Sequence, residues 1–241
     1  MTRVHDRFPL SATPVVLAAG VLFGVLSAGH LVAQLVGAGG VARISQWLLM
    51  PVLAAAVWSA TTGAPRSRVV RLVLLALAFS WLGDSVPAFF SGDARFLTMV
   101  GLFLCAQVVY VAAFWPWRRR SVLRRPAVLW YVLAFGALLA ACGPGAGALL
   151  GPVVGYGLCL TLMAVLATGV GRVVGVGGAV FFVSDGLIAL EAFAGWYDPP
   201  APGFWVMLTY LAGQALIAAG VGPLWNAGAS GTALGSGRRV R

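Results

Sequence analysis

Lysine does not occur in this chain; all sixteen basic side chains are arginine. That excludes chemistry needing a primary amine, such as a Schiff base with retinal or pyridoxal phosphate. A phosphate-binding loop of the Walker type is excluded with it. Histidine is almost as scarce, and no cluster of ligands surrounds His5 or His30, so neither a metal nor an organic cofactor is expected. His30 reads as a hydrogen-bonded histidine inside a helix. The three cysteines, Cys105, Cys142 and Cys159, lie in or at the ends of apolar runs without CxxC spacing and read as small apolar side chains.

Charge is also scarce, at 9% of residues against 61% hydrophobic. The apolar runs repeatedly reach the length that crosses a hydrocarbon core of about 30 Å, which predicts an all-α, polytopic membrane helix bundle. The formal charge of +10 falls between these runs, so it points to membrane topology and not to nucleic acid.

Apolar segments ended by Arg, Gly or Pro predict eight spans, near 14–36, 44–62, 69–90, 96–116, 127–142, 147–168, 175–194 and 203–222. Alternating the connecting segments between the two sides puts fourteen arginines on one side and only Arg43 and Arg95 on the other. Because arginine-rich loops stay cytoplasmic, both termini are expected there, in a plasma or inner membrane of bacterial type. Residues 1–13 then form a cytoplasmic N-terminus, 14–225 the transmembrane domain and 226–241 a small, polar, disordered tail. The first span is longer than a signal-peptide core and is expected to be retained. The RRRSVLRR run serves as a topology determinant, with anionic lipid headgroups as its natural neighbours. Gly143, Gly147, Gly151 and Gly155 recur every four residues and predict a groove for close helix packing.

Against this background three acids stand out, because Asp84, Asp185 and Glu191 fall inside predicted spans. A carboxylate in hydrocarbon costs at least about 2.5–3.5 kcal/mol, so it must face protein or water and usually marks function. Counting about 1.5 Å per residue along the third and seventh spans puts Asp185 near mid-membrane and Asp84 about 7 Å further out, near enough to meet if the helices are neighbours. Glu191 is turned to a different helix face from Asp185 but shares one with Ser184. Ser80, one turn before Asp84, together with Gln46, Gln107, Tyr110 and Gln214, completes a predicted polar pocket.

FSWLGD (79–84), FLTMVGLFLCAQVVY (96–110), GGAVFFVSDGLIAL (177–190) and RISQWLLMP (43–51) together resemble the motifs of the YhhN-like lysoplasmalogenase family, eight-span membrane enzymes that cleave the vinyl ether of lysoplasmalogens. The resemblance carries the family's GD element onto Gly83 and Asp84, its SD element onto Ser184 and Asp185, and its fourth-helix tyrosine onto Tyr110. It implies a lysophospholipid or other single-chain lipid as substrate. Two elements depart from the pattern. Gln46 and Trp47 stand where the family usually has Lys-Pro, and Gln107 stands where it usually has histidine; glutamine hydrogen-bonds but supplies neither a cation nor a proton that titrates near neutrality.

Vinyl ether hydrolysis needs a proton delivered to carbon and an anion to stabilise the resulting oxocarbenium ion. Two neighbouring carboxyls resist simultaneous ionisation, so Asp84 and Asp185 are expected to divide these roles. A proton-coupled transporter is the main alternative, since membrane carboxylates also relay protons. A family member that binds lipid without catalysis is another. An intramembrane aspartyl protease fits poorly, because the first glycine of its GxGD element is missing at Trp81 and no Pro-Ala-Leu element follows.

Overall fold

The computed structural model describes residues 14–61 and 66–235, with 222–235 as backbone. In hydrocarbon a peptide group finds no partner except another peptide group, so long uncharged runs of Leu, Val, Ala and Phe are driven into helix. Among the described residues eight α-helices form: α1 (Pro14–Leu35), α2 (Gly39–Ala60), α3 (Arg68–Ser85), α4 (Gly92–Phe114), α5 (Val128–Ala146), α6 (Leu150–Val170), α7 (Arg172–Phe193) and α8 (Pro202–Gly235). No strand occurs among the described residues. Gly37, at φ 70°, turns the chain from α1 into α2. Pro87, in the 3₁₀ turn Val86–Phe89, ends α3 just beyond Asp84.

By length and composition these helices make seven stretches able to cross a membrane, which corrects the expected eight separate spans and identifies an integral membrane protein. The difference lies at α5 and α6, which form one apolar helical stretch, Val128–Val170. It contains no loop; the expected joint CGPGAG belongs to the end of α5 and the 3₁₀ turn Gly147–Leu149. Gly147, at φ 50°, turns the chain there. The Phe135 ring of α5 rests on Gly157 of α6, positions that an unbroken helix would hold about 33 Å apart. The stretch is therefore a hairpin with two packed arms.

Two further expectations are revised. The backbone of 226–235 is helical, as the continuation of α8, where a disordered tail was expected; residues 1–13 and 236–241, with His5 and their arginines, lie outside the described residues. The four-residue glycine repeat is not a packing groove: a Cβ on Gly147, Gly151 or Gly155 would meet open space, because the turn at Gly147 divides the repeat between two helices.

Close approach occurs elsewhere. A Cβ on Gly177 of α7 would come within 2.9 Å of the Gly213 carbonyl oxygen on α8, and one on Gly213 within 2.9 Å of the Phe181 backbone nitrogen. Around the bundle α1 packs on α2, α2 on α3, α3 on α4, α4 on α6, α6 on α7 and α7 on α8; α8 closes back on α1, α2 and α3. Among the described residues, the α-helices that α5 contacts are α6 and α7 alone. Large apolar side chains such as Val21, Val25, Leu129 and Trp130 remain exposed on the outside, as lipid-facing residues should.

The α7–α8 contact generates a prediction. In Gly213→Val the new side chain meets backbone that cannot move aside, at a cost of about 1–3 kcal/mol. Its unfolding midpoint in detergent, followed by circular dichroism, is expected to fall, whereas Gly151→Ala should hold or slightly raise the midpoint. Equal behaviour of the two variants would contradict this packing.

Candidate functional site

Asp84 occupies the last turn of α3 and Asp185 the middle of α7. Both carboxyls line one cavity of about 210 Å³, to which α1, α2, α4 and α8 also contribute walls. Asp185 is buried, with 8% of its surface exposed; Asp84 is half-buried.

Donors from other helices hold each carboxyl. Asp84 Oδ1 accepts a hydrogen bond from Gln46 Nε2 of α2 (3.1 Å), and Oδ2 accepts one from the Tyr210 hydroxyl of α8 (2.8 Å). Asp185 Oδ2 accepts one from the Tyr156 hydroxyl of α6. Hydrogen bonds to charged acceptors are the strong ones, so these side chains fix the carboxyl groups as well as satisfying them. The Tyr210 ring is itself held edge-on by Phe103 and Phe181, at centroid distances of 5.8 and 5.5 Å.

Gly83 makes this assembly compact. A Cβ there would stand 2.8 Å from the Phe103 ring, so only glycine lets α4 close on α3 beside Asp84. Behind Asp84 runs a buried chain: the Tyr110 hydroxyl donates to Gln214 Oε1 (2.6 Å), and Gln214 Nε2 donates to Ser80 Oγ (3.1 Å). It links α4, α8 and α3 without lining the cavity.

The expected site residues thus separate into two layers. Asp84, Asp185, Gly83, Gln46, Ser184 and Glu191 all line the cavity. Glu191 does so although it was expected on a different face from Asp185: the cavity is wide enough to receive both faces of α7. Ser184 donates to the Val206 carbonyl (3.1 Å), which ties α7 to α8. Ser80 and Tyr110 lie one layer back. Gln107 is buried beside Tyr156 and makes no hydrogen bond of good geometry.

Tyr210 and Gln34 line the cavity and Tyr156 lines the clefts beside Asp185, and the sequence reading did not single out any of the three. Tyr210 precedes Gln214 by four residues, so both lie on one helix face, and a second polar group on that face was its signal. Tyr156 had only its position inside an apolar run. Gln34 sits one turn beyond His30, whose Nδ1 is 2.9 Å from Ser45 Oγ and 3.1 Å from the Ala42 carbonyl oxygen, a connection between α1 and α2.

The chamber is not closed. Towards the start of α2 and α4 it adjoins a vestibule of about 260 Å³ that shares Gln34, Gln46, Gly83, Asp84 and Met99 with it. From Asp185 two apolar clefts of about 50 Å³ each lead away, one bordered by Phe96, Val100 and Phe193, the other by Leu138, Leu139 and Leu160. The arrangement offers two carboxyls, fixed in a chamber that water can occupy, with apolar clefts beside one of them. Among the described residues no group of three His, Cys, Asp or Glu side chains is placed to hold a metal ion.

The model of the YhhN family matches residues 41–221. No curated protein and no solved structure matches the chain.

Removing one donor tests the geometry directly. Tyr210→Phe leaves Asp84 Oδ2 without its partner on α8 and is expected to cost about 1–3 kcal/mol, as is Tyr156→Phe at Asp185. Thermal unfolding in detergent measures both; an unchanged midpoint in either variant would mean that the corresponding carboxyl is not held as described.

Proposed function

Because the chain belongs to the YhhN family, we propose that it hydrolyses the vinyl ether bond of lysoplasmalogens, releasing a fatty aldehyde and a glycerophospho-alcohol. The observation that carries this reading is that Asp84 and Asp185, distant in sequence, line the same cavity while apolar clefts open beside Asp185. In this reading a single hydrocarbon chain lies in a cleft and brings its ether linkage between the carboxyls.

The neutral carboxyl gives its proton to the vinylic carbon remote from the ether oxygen, the one that carries the alkyl chain. The carbon–carbon π electrons form the new C–H bond, and positive charge develops on the ether oxygen and its adjacent carbon. The other carboxyl, charged, stabilises that oxocarbenium ion. Water then adds to the cationic carbon and passes a proton to a carboxylate, which regenerates the acid. Collapse of the hemiacetal moves its hydroxyl proton to the leaving alcohol oxygen as the C–O bond breaks. The hydroxyls of Tyr156 and Tyr210 and the Gln46 amide hold the carboxyl oxygens through this sequence.

Asp84→Asn and Asp185→Asn are each expected to lower aldehyde release from a lysoplasmenyl lipid by about 10²–10⁴-fold while keeping helical content and unfolding midpoint. Undiminished turnover in either purified variant would overturn the assignment. Proton-coupled flux in proteoliposomes without aldehyde release would favour the transporter, and lipid binding alone would favour a non-catalytic family member.

A further inference from the structure

Arginine placement carries more than topology. Of the sixteen arginines, fourteen were placed on one side by the sequence, and the exceptions were Arg43 and Arg95. Both exceptions line the vestibule next to Asp84. Arg43 stands in the second turn of α2 and Arg95 in the first turn of α4, so two helix N-termini, each with a partial positive charge, begin at the same opening.

Among the described residues no acid forms an ion pair with either arginine. Both arginines are exposed, and neither guanidinium has a hydrogen bond or ion pair with another described residue. Asp93, the acid in the first turn of α4, does not line the vestibule. Asp84 does, but its carboxyl is hydrogen-bonded by Gln46 and Tyr210 and makes no ion pair with either arginine. Two unpaired planar forks facing one opening fit the oxygens of a phosphate.

The cavities also follow in a definite order. The cationic vestibule meets the chamber at Asp84 and Met99, and the chamber meets the apolar clefts at Asp185. A lysophospholipid has the same order along its length: phosphate, glycerol linkage, hydrocarbon chain. We propose that Arg43 and Arg95 bind the headgroup phosphate of a single-chain phospholipid in this vestibule and so present its glycerol linkage to the chamber. This inference rests on the reaction proposed above and adds the ligand class of a separate subsite.

The test uses the full-length protein in neutral detergent and a probe that it cannot cleave. Calorimetry compares a 1-O-alkyl lysophospholipid, whose saturated ether has no vinylic carbon to protonate, with the 1-O-alkylglycerol that lacks phosphate. The wild type is expected to prefer the phospholipid. The double variant Arg43→Gln/Arg95→Gln should bind it about tenfold or more weakly, with its preference over alkylglycerol falling towards one. Arg43→Lys should restore part of that preference, and Arg119→Gln, at an exposed position far along the chain, should keep all of it. Competition with inorganic phosphate and glycerophosphate identifies the source of the anion: competition at lipid-like concentrations would replace the headgroup with a free phosphate and overturn the lipid assignment. A double variant that keeps the phospholipid preference would overturn the subsite. Since binding is read without turnover, absence of aldehyde release from the wild type would defeat the proposed reaction while leaving this result to stand or fall separately.

Discussion

A carboxyl group within a membrane span must be kept away from lipid, and much of this bundle meets that requirement for Asp84 and Asp185. Each unfavourable contact with hydrocarbon would cost about as much as several good packing contacts return. The bundle encloses both groups in one chamber and reaches each from a different helix: α2 and α8 hold Asp84, α6 holds Asp185. The donors therefore satisfy the carboxyls and at the same time register the helices against one another.

That registration depends on close backbone contact. Tyr210 reaches Asp84 because α8 lies directly on α7 at Gly177 and Gly213, and Phe103 braces Tyr210 because Gly83 lets α4 approach α3. Small residues here give a membrane bundle the contact that hydrophobic collapse supplies in water. The deeper chain through Tyr110, Gln214 and Ser80 joins α4, α8 and α3 behind the chamber. Chemistry and packing thus share residues: a substitution in the α7–α8 contact acts on the site through Tyr210.

Much of this was legible in the sequence because hydrocarbon is a severe solvent. It permits few polar residues, so Asp84, Asp185 and Gln46 were conspicuous among apolar neighbours. The helix starts at Pro14 and Arg68 lie within a residue of those expected, whereas α7 begins at Arg172, three residues before the expected 175. What was not legible depended on three-dimensional contact. Tyr156 and Tyr210 look like ordinary apolar aromatics until their hydroxyls are seen to meet carboxyls on other helices. The glycine repeat from Gly143 to Gly155 had the right spacing for packing, but the positive φ of Gly147 folds it in two, and no spacing rule shows that. Glu191 was placed by helical angle alone, which ignores the width of the space that α7 faces. Arg43 and Arg95 were visible as exceptions to an asymmetry, but their convergence required knowing that the first turns of α2 and α4 line one vestibule.

The claim on which the account rests is that the two acid side chains, 101 residues apart in sequence, open into one water-accessible space. Asp84→Cys and Asp185→Cys, combined in a chain whose Cys105, Cys142 and Cys159 are replaced by alanine, can be treated with a short bifunctional thiol reagent and analysed by mass spectrometry. The account predicts a single reagent bridging both positions within one molecule. Two separately capped thiols, with no bridge at any reagent length that fits the chamber, would contradict it.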